Sequence, residues 1–278
     1  MSAAVHRCRK RLVLAIAAAL LGIGGGVLAY MWSASGSHEV LLSQAYKQFH
    51  GKSTTPDRPP QGVELVRPAQ GVYRYSGGGT EHVSFPPKTQ LEGPVIPGTV
   101  TYTKGGCWEF RLDYSDNHWQ STTYCLSPAG LLLTARAGWY RWDFVFTTVE
   151  DTASYRCSQS EVAVPSRPSH GERFGFSCRG TNNHLSIPAV TMSGYNEFIG
   201  TEPVVIGARR LMALHLREVA RFSGGQSGTN VADTWFDPAT DLPLRGTWST
   251  RVRTASPVGT STLTASGHFS LVSLTPHA

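Results

Sequence analysis

Charge is the first thing this chain lacks: only 16% of its 278 residues are Asp, Glu, Lys or Arg, against about a quarter in ordinary soluble domains. Lysine is scarcest, with five against twenty arginines. No acidic residue occurs before Glu39, while Arg7, Arg9, Lys10 and Arg11 place four positive charges at the front. The rest of the chain then holds 21 basic and 19 acidic residues, so the formal net charge of +6 falls to +2 there. There is no basic stripe interleaved with aromatics, and a nucleic-acid partner is excluded on that ground.

Catalytic and metal-binding motifs are missing as well. No Cys-x-x-Cys pair exists, and the ten histidines form no His-x-His or His-x-x-x-His pair that could chelate a metal. None of the five lysines lies three residues after a serine. Ser177, in Gly175-Phe176-Ser177-Cys178-Arg179-Gly180, has its last glycine one residue too late for a nucleophile elbow. His215, between Leu214 and Leu216, reads as a hydrogen-bonded strand histidine. Asp233, Asp237 and Asp241 recur every fourth residue, but Asp237-Pro238-Ala239-Thr240-Asp241 has the residues of a tight turn rather than of a calcium loop. The expectation is a protein with no catalytic residues, no metal and no cofactor.

One stretch lacks charge altogether. Leu12 to Trp32 is 21 residues of LVLAIAAALLGIGGGVLAYMW, about 30 Å as a helix and the thickness of a bilayer core. The basic cluster before it predicts a cytoplasmic tail over 1–11, a transmembrane helix over 12–32 and everything later outside the cytoplasm. The competing reading is a cleaved signal peptide ending near Val27-Leu28-Ala29. Cys8 precedes the apolar run, so a lipidated-cysteine anchor is not available. Residues 33–61 read as a juxtamembrane helix over Ser37–Phe49 followed by a stiff tether containing Pro56, Pro59 and Pro60.

What the chain does have, from 62 to 278, is β-sequence. The whole chain holds 29 glycines and 17 prolines, spread out, and between them from 62 onward run stretches rich in Val, Thr, Tyr, Phe and Trp. The later four cysteines suit two hairpin staples. Folding at Asp116-Asn117 sets Cys107 opposite Cys125 and Trp108 opposite Tyr124. Alternation then puts Trp108, Phe110, Leu112 and Tyr114 on one face. Cys157 and Cys178 repeat the design with an irregular tip. Strict pairing there opposes Arg156 to Arg179, which predicts a bulge or register shift. Each bridge closes a loop worth about 3 kcal/mol in the chain-entropy model. Ala208 to Phe222 is ambiguous between helix and strand, and its Gly-rich flanks favour strand.

The segment Thr234-Trp235-Phe236-Asp237-Pro238-Ala239-Thr240-Asp241-Leu242-Pro243-Leu244-Arg245 resembles a hairpin of bacterial envelope proteins, in which a W-x-D-P-x-T-x-L-P-x-R turn joins two late strands. That hairpin is found in the lipoprotein-localisation-factor-like (LolA-like) envelope lipid-carrier superfamily. The chain is also similar to uncharacterised exported proteins of high-GC actinobacteria. The resemblance implies a curved antiparallel sheet or half-barrel. It departs from the lipid carriers in having no lipobox and no plug helices, and no ligand-contact residue carries over.

The expected architecture is therefore all-β: one N-terminal transmembrane helix, then a curved sheet or half-barrel with two hairpin disulfides. The expected role is a non-enzymatic binding module, anchored in the membrane by a single pass, for a lipid or other cell-envelope molecule. Trp108, Phe110, Trp142 and Phe144 are the candidate pocket residues. The alternative is a structural or protein-interaction module of an envelope assembly, with a filled interior and an exposed apolar patch or free edge.

Overall fold

Runs of β-branched and aromatic residues become long strands in the structure, a computed structural model that describes residues 37–50, 67–144, 147–158, 161–183, 187–256 and 259–277. The early strands are β1 Gly71–Ser84, β2 Pro87–Glu92, β3 Val95–Tyr102, β4 Cys107–Ser115, β5 His118–Ser127, β6 Gly130–Phe144 and β7 Thr147–Cys157. The later ones are β8 Val162–Pro165, β9 Arg173–Asn182, β10 Val190–Ile206, β11 Arg209–Gly224, β12 Gln226–Phe236, β13 Pro243–Ser256 and β14 Gly259–Leu271. The one α-helix among the described residues is α1, Leu42–His50. The ambiguous stretch 208–222 lies in β11, a strand.

The chain divides into two compact units. In the smaller, described only over Asp143–Val149 without residues 145 and 146, the Thr148 hydroxyl donates to Asp143 Oδ1 at 2.6 Å. The larger, Ser37–Trp142 with Glu150–Ala278, carries the core.

The half-barrel expectation is overturned. Twelve antiparallel strands form a ring in the order β1-β3-β4-β5-β6-β7-β9-β10-β11-β12-β13-β14, and β14 returns to pair with β1. That seam runs from Tyr75 opposite Leu271 to Val83 opposite Leu263. β1 can close the ring because it is long: its first half pairs β3 and its second half β2, both along the same edge, leaving the other edge for β14. Closure satisfies two strand edges that a half-barrel would expose. β8 stands outside the ring and pairs β6.

The membrane expectation is also withdrawn. The segment 12–32 and the tether 51–61 lie outside the described residues, and among the described residues no helix is long and apolar enough to cross a membrane. The single-pass anchor, and the membrane localisation inferred from it, have no support in the structure. The segment expected to form a juxtamembrane helix instead packs on the larger unit. α1 lies against the outer side of β1 and β3, which is why Val72 is fully buried although it alternates away from Tyr73 and Tyr75. Ser37 does not cap the helix; its hydroxyl and the backbone of Leu91 bond to each other.

Both staples form as paired, Cys107–Cys125 and Cys157–Cys178. The first hairpin has the expected register, with Trp108 opposite Tyr124 and Phe110 opposite Thr122. The second departs twice. Arg156 and Arg179 oppose each other with no register shift; both are exposed, and water and salt screen the like charges. Moreover, the segment between its two strands is not a simple tip, since it contains β8.

Inward alternation fills the ring. Trp108, Tyr73, Tyr75, Ile96, Leu131 and Leu244 are buried to 1% exposure or less. Tyr75 sits edge-on to Phe110 and Phe269, at 5.9 and 5.5 Å between ring centres. A ring of twelve strands is wider than the eight that side chains fill easily, and aromatics this large are what close most of the gap.

Candidate functional site

Inside the ring a cavity of about 170 Å³ remains. Its apolar walls come from inward residues of several strands, Phe110, Tyr124, Phe236, Trp248 and Phe269 among them. Its polar side is built by Arg136 on β6, Glu218 on β11 and Asn230 on β12, with Asn196, Gln120 and Thr250 also on the wall.

Arg136 and Glu218 form a two-pronged pair: Nη1 donates to Oε1 at 2.9 Å, and Nη2 bonds Oε2. Asn230 Nδ2 donates to the same Oε1 at 3.2 Å, and the Thr250 hydroxyl donates to Asn230 Oδ1 at 2.6 Å. Burial lowers the Arg136 pKa, but the adjacent Glu218 carboxylate outweighs it and leaves the guanidinium raised and charged. Burial also pushes the neighbouring Tyr124 phenol up to about 12, against the pull of Arg136. Two capacities stay unused. Arg136 Nε is buried without a partner, and Asn196, though only 6% exposed, makes no side-chain hydrogen bond among the described residues.

Of the four residues expected to form a pocket, only Phe110 lines this cavity. Trp108 is wholly enclosed and packs on Tyr124 at 4.9 Å. Trp142 is buried elsewhere in the core, and Phe144 is half-buried at the end of β6. The large apolar pocket expected for a lipid carrier is therefore not what surrounds Phe110. Arg136 and Glu218 lie 82 residues apart in sequence, and no local motif joins them.

A second polar cluster was also missed. His118, at the start of β5, is sandwiched between Tyr114 and Tyr140 with ring centres at 4.8 and 4.2 Å. Its Nδ1 lies 2.6 Å from Glu92 Oε1 and 3.1 Å from Glu81 Oε1. Gln90 Nε2 donates to Glu81 Oε2 at 2.9 Å. The donor atoms of Glu81, Glu92 and His118 all fall within 4.8 Å of one another. Desolvation raises the pKa of Glu92 to about 8 and raises Glu81, while it lowers His118. Cys157, Glu161 and Cys178 also converge, but both sulfurs are spent in a disulfide.

His215 behaves as its strand context suggested. Its two ring nitrogens meet Glu202 at 2.9 Å and Asp233 at 2.8 Å, and the ring stacks on Trp235 at 4.2 Å. The Asp237–Asp241 turn joins β12 to β13: Asp237 accepts from Ala239 N at 3.2 Å and from the Thr240 hydroxyl at 2.7 Å. Arg245 then reaches back over the Trp235 ring at 4.6 Å.

No family profile matches the chain, and no curated protein matches it either. Among solved structures, it is similar to the crystal structure of the hypothetical lipoprotein YmcC from Escherichia coli, with 12% identity over 76% of this chain and 92% of that one. The TM-score of 0.32 is too low for that likeness to bear on function.

Proposed function

We propose that this protein is a non-enzymatic binding module of an oxidising compartment, whose barrel holds one small polar molecule beside the Arg136–Glu218 pair. The observation that carries the reading is the pairing of free volume with unspent hydrogen-bonding capacity. A cavity of about 170 Å³ is close to the roughly 150 Å³ that accepts a benzene, and below the roughly 300–1,000 Å³ of sites for larger ligands. A two-chain lipid does not fit it. A molecule of about six to eight heavy atoms does, with its polar edge on Asn196 and the Arg136–Glu218 pair and its other face on Phe110 and Trp248. Two disulfides support the compartment, since thiols stay reduced in a bacterial cytosol. The Glu218 carboxylate is already bonded by Arg136 and Asn230, which suits a fixed frame better than a proton-transferring group.

Native mass spectrometry of the freshly purified chain, followed by thermal melts against small polyols, amino acids and short carboxylic acids, tests this. Saturation at a hundred times the dissociation constant contributes about 2.7 kcal/mol, or roughly 5–11 °C of melting temperature for a domain this size. Asn196→Ala should reduce that shift at unchanged basal stability. A chain that carries no extra mass and melts identically with every compound overturns the reading.

A further inference from the structure

We infer that Glu81, Glu92 and His118 form a binding site for one first-row divalent metal ion, enclosed in the barrel and separate from the cavity. The residues come from three strands and converge where water is excluded: their side chains are about 1% exposed. Two carboxylate oxygens of the cluster, Glu81 Oε1 and Glu92 Oε2, have no hydrogen-bond partner. Enclosed polar atoms are nearly always satisfied, and orphans gathered at one point call for an ion or a water to join them. The two carboxylates supply two negative charges and the imidazole a neutral donor, so a dication balances the set.

The donor set selects the metal. Imidazole with two carboxylates suits zinc, manganese or iron(II) rather than calcium or magnesium, which prefer oxygen alone. Metal–ligand bonds of about 2.1 Å put neighbouring donors about 3.4 Å apart in a tetrahedral shell. The Nδ1–oxygen distances of 2.6 and 3.1 Å thus need to open by less than an ångström. The surroundings also hold the ligands in place. Gln90 orients Glu81, Tyr114 and Tyr140 clamp the imidazole, and the missing side chain at Gly79 makes room for Glu92. A Cβ at Gly79 would sit 2.3 Å from Glu92 Oε2.

The test uses the full chain with disulfides intact, unfolded in urea with a chelator and refolded with zinc chloride or manganese chloride, then desalted. Metal analysis should find about one ion per wild-type chain and less than about a tenth of that in Glu81→Gln/Glu92→Gln. Because the double variant removes two charges from a packed site, Glu92→Gln alone is also melted with and without zinc. Zinc should raise the wild-type melting temperature and leave that of Glu92→Gln unmoved. Equal retention by wild type and double variant, for both ions, overturns the site. So does a wild-type melt that neither ion shifts.

Discussion

Removing Glu218 should be among the most damaging changes available in the barrel. Glu218→Ala takes both oxygens from Arg136, whose Nη1 and Nη2 they bind, and the acceptor from Asn230 Nδ2. It leaves a guanidinium whose side chain is 24% exposed, open only in part to solvent, without its counter-charge. Breaking a buried pair from one side costs about 3–5 kcal/mol, and the residual exposure of Arg136 argues for the lower end, about 3 kcal/mol. For a domain of this size that is roughly 6–12 °C of melting temperature. Circular-dichroism melts and urea titrations measure it. The paired replacement Arg136→Met/Glu218→Leu provides the contrast. With both charges gone and the volume kept, most of the loss should return, while binding in the cavity should not. A Glu218→Ala melt within about 2 °C of wild type, or a double variant as unstable as the single, refutes the assignment of this pair as a buried frame.

Stability of the metal-free protein should fall as pH rises from 6.5 to 8. Glu92 at about 8 and Asp241 at about 7 are both raised by burial, so the folded state holds protons that the unfolded chain has already released. The loss is at most about 1.4 kcal/mol per pH unit for each group, and Glu81, raised likewise, adds in the same direction. Denaturant titrations across that range should show the slope; a rise with pH contradicts it. Asp241→Asn should stabilise more at pH 8 than at pH 5, because Asn keeps the φ of +56° without a charge to bury. Equal effects at both values count against burial as the cause. Gly79→Ala should destabilise by about 1–3 kcal/mol through overpacking, since the new methyl also meets Ser266 O at 2.9 Å. Unchanged melting would show that the seam tolerates a side chain there. Deleting Cys157–Cys178 should cost more than deleting Cys107–Cys125. The loops are similar, 21 and 18 residues, but Cys178 is fully buried and packs in the core. Melts of the two Ala pairs decide it.

Local order was legible in the sequence. The first hairpin could be read because its turn, its alternation and its two cysteines lie within twenty residues and agree with one another. The Asp237–Asp241 turn and the strand at 208–222 were legible for the same reason: flanking residues decide them. Closure was not, because the pairing of β1 with β14 joins segments nearly two hundred residues apart and no residue in either announces it. The polar interior was hidden likewise. Glu81, Glu92 and His118 sit on three strands at irregular spacing, and the faint signals were acidic residues within strand-like runs and the Gly77-Gly78-Gly79 triplet. Of the four aromatics read as a pocket lining, Phe110 lines this cavity, while Trp108 and Trp142 are buried away from it.

An experimental crystal structure of the freshly purified protein, at a resolution that shows ordered water, tests the binding account most directly. Shaped density beside Asn196 and the Arg136–Glu218 pair, larger than water and lost in Asn196→Ala crystals, is the predicted result. A lumen containing only scattered water, the same in wild type and variant, contradicts it.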